Sequence, residues 1–169
     1  MAKLGADFKG GNAIFTEPAM PIKCAGAPQK ILYLWTDAWH QKNLSFEVDF
    51  FKTNAVMFGV PKYSQTLTTV AANYGIKTTF KHPLVKVNGN EATFQNLDTK
   101  ELITKKFDIL HVVPPQGPHS FIAESGLGDA AGYLDVHRDT LRHNKYNNIW
   151  GIGDCTSLPC SKTAAAIFS

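Results

Sequence analysis

An alternation of strand and helix patterns in the first half of the chain constrains the fold more than any other feature. Three short runs rich in β-branched and aromatic residues predict strands, and two runs with apolar residues on one face predict helices. Strands that alternate with helices in this way form parallel sheets with right-handed crossovers. The predicted order is strand Asn12–Thr16, helix Pro28–Gln41, strand Phe46–Phe51, helix Tyr63–Tyr74 and strand Ile76–Lys81.

The pattern changes after the third strand. Three short strand patterns follow one another directly, at Leu84–Val87, Glu91–Asn96 and Glu101–Ile103. Asn88–Gly89, between the first two, is a strong hairpin signal. We therefore expect an antiparallel β-meander in place of a crossover helix. The apolar run Phe107–Val113 then predicts a buried strand that returns the chain to the parallel sheet.

The closing stretch of the chain has the pattern of a ligand-binding strand end. Asn148–Trp150 predicts a short buried strand, and Gly151 and Gly153 allow a tight turn and a close approach to a ligand. Asp154 then places a carboxylate at the end of that strand, which is the edge where open α/β sheets hold ligands. The alternative that stays open is a strand-to-helix turn whose glycines serve sterics alone.

A helix is predicted directly after this turn. Ser161 can cap it, Lys162 and Thr163 lie in its first turn, and Ala164–Ala166 are strong helix formers. The start of a helix offers free N–H groups and a partial positive charge to an electron-rich ligand.

The loop after the first strand lacks the expected glycine fingerprint. A dinucleotide-binding domain carries G-x-G-x-x-G there to cradle a pyrophosphate, whereas this chain reads EPAMPIKCAGAP. We therefore expect that this domain does not bind NAD(P)H. Cys24 occupies the loop instead, next to Lys23 and before a helix start, a position that favours the reactive thiolate. A buried, inert cysteine remains the alternative.

Composition excludes several classes of function. The 17 basic and 14 acidic residues give a net charge of +3, and the basic residues are scattered, so a nucleic-acid surface is not expected. The His and Cys residues form no cluster at zinc spacing, so no metal site is predicted. The three cysteines, Cys24, Cys155 and Cys160, indicate thiols or redox chemistry and not a disulfide framework.

Two motifs carry a family resemblance. PIKCAGAPQK around Cys24 and GIGDCTSLPCSKTAAA around Asp154 resemble the eukaryotic mitochondrial type of sulfide:quinone oxidoreductase, within the FAD-dependent pyridine nucleotide-disulfide oxidoreductase superfamily. The resemblance runs along nearly the whole chain. It implies a Rossmann-like α/β fold, the second dinucleotide-binding-like domain of a two-domain flavoprotein, over residues 1–115 with the meander at about 84–103. Residues 116–169 are then an incomplete return segment into the FAD-binding domain.

The resemblance also implies chemistry. Cys24 is expected to be one of two redox-active cysteines and to hold sulfane sulfur as a persulfide or bridging trisulfide. Asp154 is expected to bind the ribityl chain of FAD, and Gly153 to belong to the same cofactor site. Lys162 and Thr163 are expected to bind FAD at the start of their helix, which points at the pyrimidine end of the flavin. Sulfide, ubiquinone and a small sulfur acceptor, sulfite or a thiol, are the expected partners. The expected location is the mitochondrial inner membrane, with peripheral association.

Two other functions remain as alternatives to sulfide oxidation. A type II NADH:quinone dehydrogenase has the same fold but needs a glycine-rich loop where Cys24 stands. The second alternative is a non-catalytic dinucleotide-binding-like fragment, because the FAD motif G-x-G-x-x-G and a second redox cysteine are absent from the sequence. The isolated chain is expected to be inactive. A catalytic disulfide between Cys155 and Cys160 is not expected, and the histidines are expected to be surface or satisfied core residues.

Overall fold

A computed structural model describes residues 2–159 of the chain. These residues form two compact units, one comprising Met1–Ala19 with Gly26–Pro114, the other comprising Met20–Ala25 with the chain from Pro115 onward. The elements of the first unit are α1 (Ala2–Asp7), β1 (Gly11–Glu17), α2 (Ala27–Gln41), β2 (Phe46–Lys52), α3 (Pro61–Asn73), β3 (Ile76–Thr79), β4 (Leu84–Asn88), β5 (Glu91–Gln95), β6 (Leu102–Lys106) and β7 (Ile109–His111). The second unit contains α4 (Ser120–Glu124) and a 3₁₀ turn, Gly153–Cys155.

The division predicted at residues 115 and 116 stays a prediction for the whole protein. The described contacts group the segment Met20–Ala25, which contains Cys24, with the C-terminal unit.

The parallel sheet of the first unit confirms the predicted fold class. Its strand order is β3-β2-β1-β7, and every neighbouring pair is parallel. β1 lies inside the sheet, so its residues are covered on both faces, and Ala13, Ile14 and Phe15 are each only 1% exposed. A strand buried on both faces needs consecutive apolar residues and not alternating ones, which is the pattern of this strand.

Helix α2 covers the sheet with two tryptophan residues spaced one helical turn apart. Trp35 and Trp39 are buried, and the Trp39 ring lies 4.4 Å from that of Phe8. Leu34, next to Trp35 in the sequence, is 61% exposed. Successive helical residues are rotated by about 100°, so Leu34 faces away and Thr36 is buried in its place, its hydroxyl donating to the Leu32 carbonyl at 2.8 Å.

The predicted meander is present as the antiparallel sheet β4-β5-β6. Its β5 side chains pack against the parallel sheet, with the Phe94 ring stacked 3.7 Å from that of Phe51. The third strand begins one residue later than expected and extends to Lys106. The Asn96 side chain accepts the N–H groups of Asp98 and Thr99, and this turn extends to Lys100, which has a positive φ of 67°.

A buried ion pair joins the carboxyl ends of β1 and β2. Lys52 donates to the Glu17 carboxylate, and the two side chains are 1% and 3% exposed. Burial lowers the pKa of Lys52, and the hydrogen bond to Glu17 opposes that shift. Dinucleotide-binding domains carry a ribose-binding acid near this strand end, whereas here a lysine is tied to a glutamate. The pair therefore favours the expectation that this domain does not bind NAD(P)H.

Truncation of Phe94 is predicted to destabilise the first unit. Phe94 is 0% exposed and fills the space between the two sheets, so Phe94→Ala leaves a cavity and costs about 3–5 kcal/mol of unfolding free energy. Val85 is 50% exposed, so Val85→Ala in the same meander changes the unfolding free energy by about 0.5 kcal/mol or less. Urea denaturation of both variants measures the difference. Equal losses would contradict the packing described here.

Acid is predicted to destabilise the first unit through His111. Burial against Phe15 and Trp35 lowers the pKa of His111, and its Nδ1 has no hydrogen-bond partner among the described residues. The unfolded chain therefore takes up this proton first, and stability falls as the pH drops through about 6.5 towards the folded-state pKa. His111→Phe keeps a ring there and removes the proton site. Unfolding measured at several pH values should show a smaller acid loss in this variant than in wild type.

Candidate functional site

The segment Met20–Ala25 belongs to the second unit and carries Cys24. Lys23, the residue before Cys24, connects this segment to the rest of the unit. The backbone N–H of Lys23 donates to Oε1 of Gln116 at 2.6 Å. Its ammonium lies 2.9 Å from a carboxylate oxygen of Asp154. The structure thus brings together the two motifs that carry the resemblance, although they lie at opposite ends of the sequence. The sequence predicts that the Lys23 charge acts on the adjacent Cys24 thiol. In the structure the Lys23 ammonium forms an ion pair with Asp154.

Asp154 lies in the 3₁₀ turn, directly after Gly153. Gly153 has a φ of +82°, which an L side chain adopts only with strain, so this glycine sets the direction of the turn. The hydroxyl of Thr156 closes the turn by donating to the Gly153 carbonyl at 2.8 Å. The Asp154 side chain is 54% exposed, which leaves its carboxylate open to a ligand.

Gly151 has a different reason to be glycine. A Cβ at Gly151 would overlap the side chain of Leu134, which packs there with Ile122 and Val136. Gly151 is therefore glycine for steric reasons, as in the alternative interpretation of the sequence. For Gly153 the backbone turn itself requires glycine.

The prediction of a buried strand at Asn148–Trp150 is wrong. Trp150 is 60% exposed and forms a single antiparallel bridge with Arg142, and Ile152 is 69% exposed. The segment that pairs beside the turn is instead Leu134, which bridges to Thr156. Apolar side chains in so short a run do not show which neighbouring chain will pair with them, so the sequence pattern was ambiguous.

A cleft of 440 Å³ lies within the second unit, between the Cys24 segment and the residues that follow Asp154. Lys23 contributes a positive charge, and Tyr133, Thr156 and Ser157 contribute polar groups. The remaining walls are formed by Met20, Pro21, Ile22, Ala25, Leu158 and Pro159. Mostly apolar walls with a few polar groups, at this volume, are typical of sites for cofactors and small molecules.

Cys24 and Cys155 are both free thiols with partly buried side chains. Cys155 packs against the Leu134 cluster and its thiol donates to the Ile152 carbonyl at 3.5 Å, which is a structural environment. Cys160, Lys162, Thr163 and the helix predicted from Lys162 lie outside the described residues.

No group of three or more His, Cys, Asp or Glu side chains is placed to hold a metal ion within residues 2–159. No helix in that part of the chain is long and apolar enough to cross a membrane.

The sequence did not predict the ion pair between Lys23 and Asp154. Gln116, which fixes the backbone of Lys23, was not identified either. No local pattern signals a contact between residues so far apart along the chain, so only the folded structure shows it.

Comparison with known proteins confirms the resemblance. No family model matches the chain. The mitochondrial sulfide:quinone oxidoreductase of Dictyostelium discoideum is 46% identical over 168 residues, which are 96% of this chain and 37% of that protein. The mitochondrial sulfide:quinone oxidoreductase of Mus musculus is 42% identical over 166 residues, covering 95% of this chain and 37% of its own length. The chain thus spans a little over a third of these relatives.

A solved structure supports the fold. The sulfide:quinone oxidoreductase of the hyperthermophilic bacterium Aquifex aeolicus superposes with a TM-score of 0.79 over 94% of this chain and 38% of that one, at 15% identity. The α/β, Rossmann-like fold with an inserted antiparallel sheet, expected from the sequence, is confirmed.

The two glycines of the turn are predicted to respond differently to a compensating change. Gly151→Ala overlaps Leu134, whereas Gly153→Ala meets no atom within 4 Å and costs backbone strain alone, roughly 1–2 kcal/mol. Adding Leu134→Ala makes room for the methyl group of Gly151→Ala. It does not relieve the backbone strain of Gly153→Ala. Unfolding free energies of the single and double variants should therefore show coupling between Gly151 and Leu134. Equal coupling of Leu134 to both glycines would contradict these roles.

Proposed function

We propose that the protein containing this chain is a sulfide:quinone oxidoreductase, a flavoprotein that oxidises hydrogen sulfide to sulfane sulfur and passes the electrons through FAD to ubiquinone. The observation that carries the proposal is the ion pair between Lys23 and Asp154. It ties the segment bearing the candidate sulfur-carrying thiol, Cys24, to the turn bearing the candidate flavin ligand.

The residues present fit a flavin. The half-exposed carboxylate of Asp154 can accept hydrogen bonds from ribityl hydroxyl groups, and Gly153 shapes the turn that presents it. The cleft beside this turn has the apolar walls that suit an aromatic ring system. Lys162 and Thr163 are proposed to bind the cofactor from the start of their helix. When bound, FAD supplies a two-electron acceptor next to the sulfur chemistry.

Cys24 is proposed to carry the sulfur. Hydrosulfide attacks a disulfide between Cys24 and a second cysteine of the protein, so that a new S–S bond forms as a persulfide and the other sulfur leaves as a thiolate. A small acceptor, sulfite or a thiol, then takes the outer sulfur atom of the persulfide. When the disulfide re-forms, the two cysteine thiolates that remain give up two electrons, for which bound FAD would be the acceptor. This balances the oxidation of sulfide to sulfane sulfur.

The segment that holds Cys24 suits this role. Its neighbour Lys23 is fixed through both its backbone and its side chain, by Gln116 and Asp154. The Cys24 side chain is partly exposed and so open to a small nucleophile. A thiol held on an anchored segment loses little conformational freedom when it reacts, which favours repeated exchange of sulfur.

Two features disfavour the NADH dehydrogenase alternative. The loop after β1 lacks the glycine fingerprint, and Lys52 occupies the end of β2 in a buried pair with Glu17. A mitochondrial location is proposed from the names of the relatives. Peripheral association with the inner membrane is proposed from the family resemblance alone.

Substitution of Cys24 is predicted to remove sulfide oxidation while sparing the cofactor. In the intact protein, Cys24→Ser should abolish sulfide-dependent quinone reduction, because a serine hydroxyl stays protonated near neutral pH and forms no persulfide. Flavin content should be unchanged. Steady-state quinone reduction and flavin absorbance, measured on the same preparation, give both answers.

Two cysteine controls accompany this experiment. Cys155→Ser and Cys160→Ser should keep most of the activity, since Cys155 has a structural environment and the resemblance gives Cys160 no role in carrying sulfur. Near-normal turnover in Cys24→Ser, or a dead Cys160→Ser variant, would show that the redox thiol is assigned wrongly.

A further inference from the structure

Lys23 brings a positive charge into a cleft that is otherwise mostly apolar. Its side chain is 31% exposed, and it is the one charged side chain among the described residues that line this cleft. An ammonium group partly removed from water acts more strongly on a nearby negative charge than a surface lysine does, because the effective dielectric constant is lower. A ligand in this cleft therefore experiences the charge of Lys23 at short range.

We propose that Lys23 raises the reduction potential of the bound flavin by stabilising the negative charge that reduction places on its ring. The inference rests on the proposed function and deepens it, since it assigns an electrostatic task to a residue adjacent to the sulfur-carrying Cys24. Lys23 acts here on the cofactor and carries no sulfur itself.

Reduction of a flavin by two electrons with uptake of one proton leaves one net negative charge on the ring. Apolar walls such as those of Ile22, Ala25 and Leu158 disfavour a charge unless a partner of opposite sign is present. Lys23 supplies that partner, so the site prefers reduced over oxidised flavin more than an uncharged site would.

Asp154 locates the ammonium relative to the cofactor. Its carboxylate is the proposed ligand of the ribityl chain, which is joined covalently to the flavin ring, and the Lys23 ammonium lies 2.9 Å from that carboxylate. The carboxylate also offsets part of the Lys23 charge. The two residues should therefore shift the flavin potential in opposite directions, although each of them loses the same ion pair when it is substituted.

The test is the midpoint potential of the flavin in the intact, FAD-loaded protein, measured by anaerobic reductive titration against a reference dye. Lys23→Met should weaken the preference for reduced over oxidised flavin about tenfold, a fall of about 30 mV for a two-electron couple. Lys23→Arg keeps the charge and should stay close to wild type. Asp154→Asn, with FAD in excess, should raise the potential.

Lys77→Met is the matched control. Lys77 forms an ion pair of similar length, 2.7 Å, with Glu47, and both side chains are well exposed in the first unit. Its loss should leave the potential unchanged. A lowered potential in Lys77→Met equal to that in Lys23→Met would overturn the inference, because the shift would then follow from losing any ion pair.

The remaining outcomes are equally decisive. An unchanged potential in Lys23→Met would overturn the inference, as would a fall in Asp154→Asn that parallels Lys23→Met, since the pair would then act through structure alone. If Cys24→Ser is inactive while Lys23→Met keeps the wild-type potential, only this inference fails. If the intact protein binds no flavin, both the proposed function and this inference fail.

Discussion

The buried ion pair between Glu17 and Lys52 is the interaction on which the arrangement of the parallel sheet most depends. The two charges, at 3% and 1% exposure, are paired with each other, and the Asn54 amide also donates to the Glu17 carboxylate at 3.3 Å. Removing either partner from such a buried pair costs about 3–5 kcal/mol. The pair fixes the carboxyl ends of β1 and β2 at the edge where α/β sheets hold ligands. It also places a lysine near the position where a dinucleotide-binding domain needs an acid. The chain leaves β1 at Glu17 and continues into the segment that bears Cys24.

The chemistry proposed for the second unit depends on a second ion pair, which is more exposed to water. Lys23 and Asp154 are 31% and 54% exposed, so water screens their attraction and the pair contributes little to stability. Its importance is geometric, because it holds the Cys24 segment against the Gly-Asp turn and beside one cleft. Breaking the buried pair would therefore destabilise the scaffold. The partly exposed pair is proposed to arrange the site, where a ligand can compete for either partner.

Local patterns predicted most of the first unit. The alternation of strands and helices and the Asn88–Gly89 turn each depend on residues close together in the chain, and the structure has both. The features that the sequence did not predict depend on contacts between residues far apart in the chain. The exposed Trp150 could not be told from a buried strand residue, and the partnership of Lys23 with Asp154 follows only from the fold. The role of Cys24 stays a prediction that rests on the family motif, because its local sequence alone leaves an inert cysteine as the alternative.

The measurement that tests the central claim most directly is anaerobic reduction of the flavin in the intact protein by sulfide. Sulfide mixed with the FAD-loaded protein and with sulfite as the sulfur acceptor, but without quinone, should bleach the flavin absorbance band. The acceptor frees Cys24 from its sulfur, and the electrons released when the disulfide re-forms would reduce the flavin. NADH at the same concentration should leave the band unchanged, since neither the loop after β1 nor Lys52 suits a nicotinamide dinucleotide. Bleaching by NADH with no response to sulfide would contradict the account.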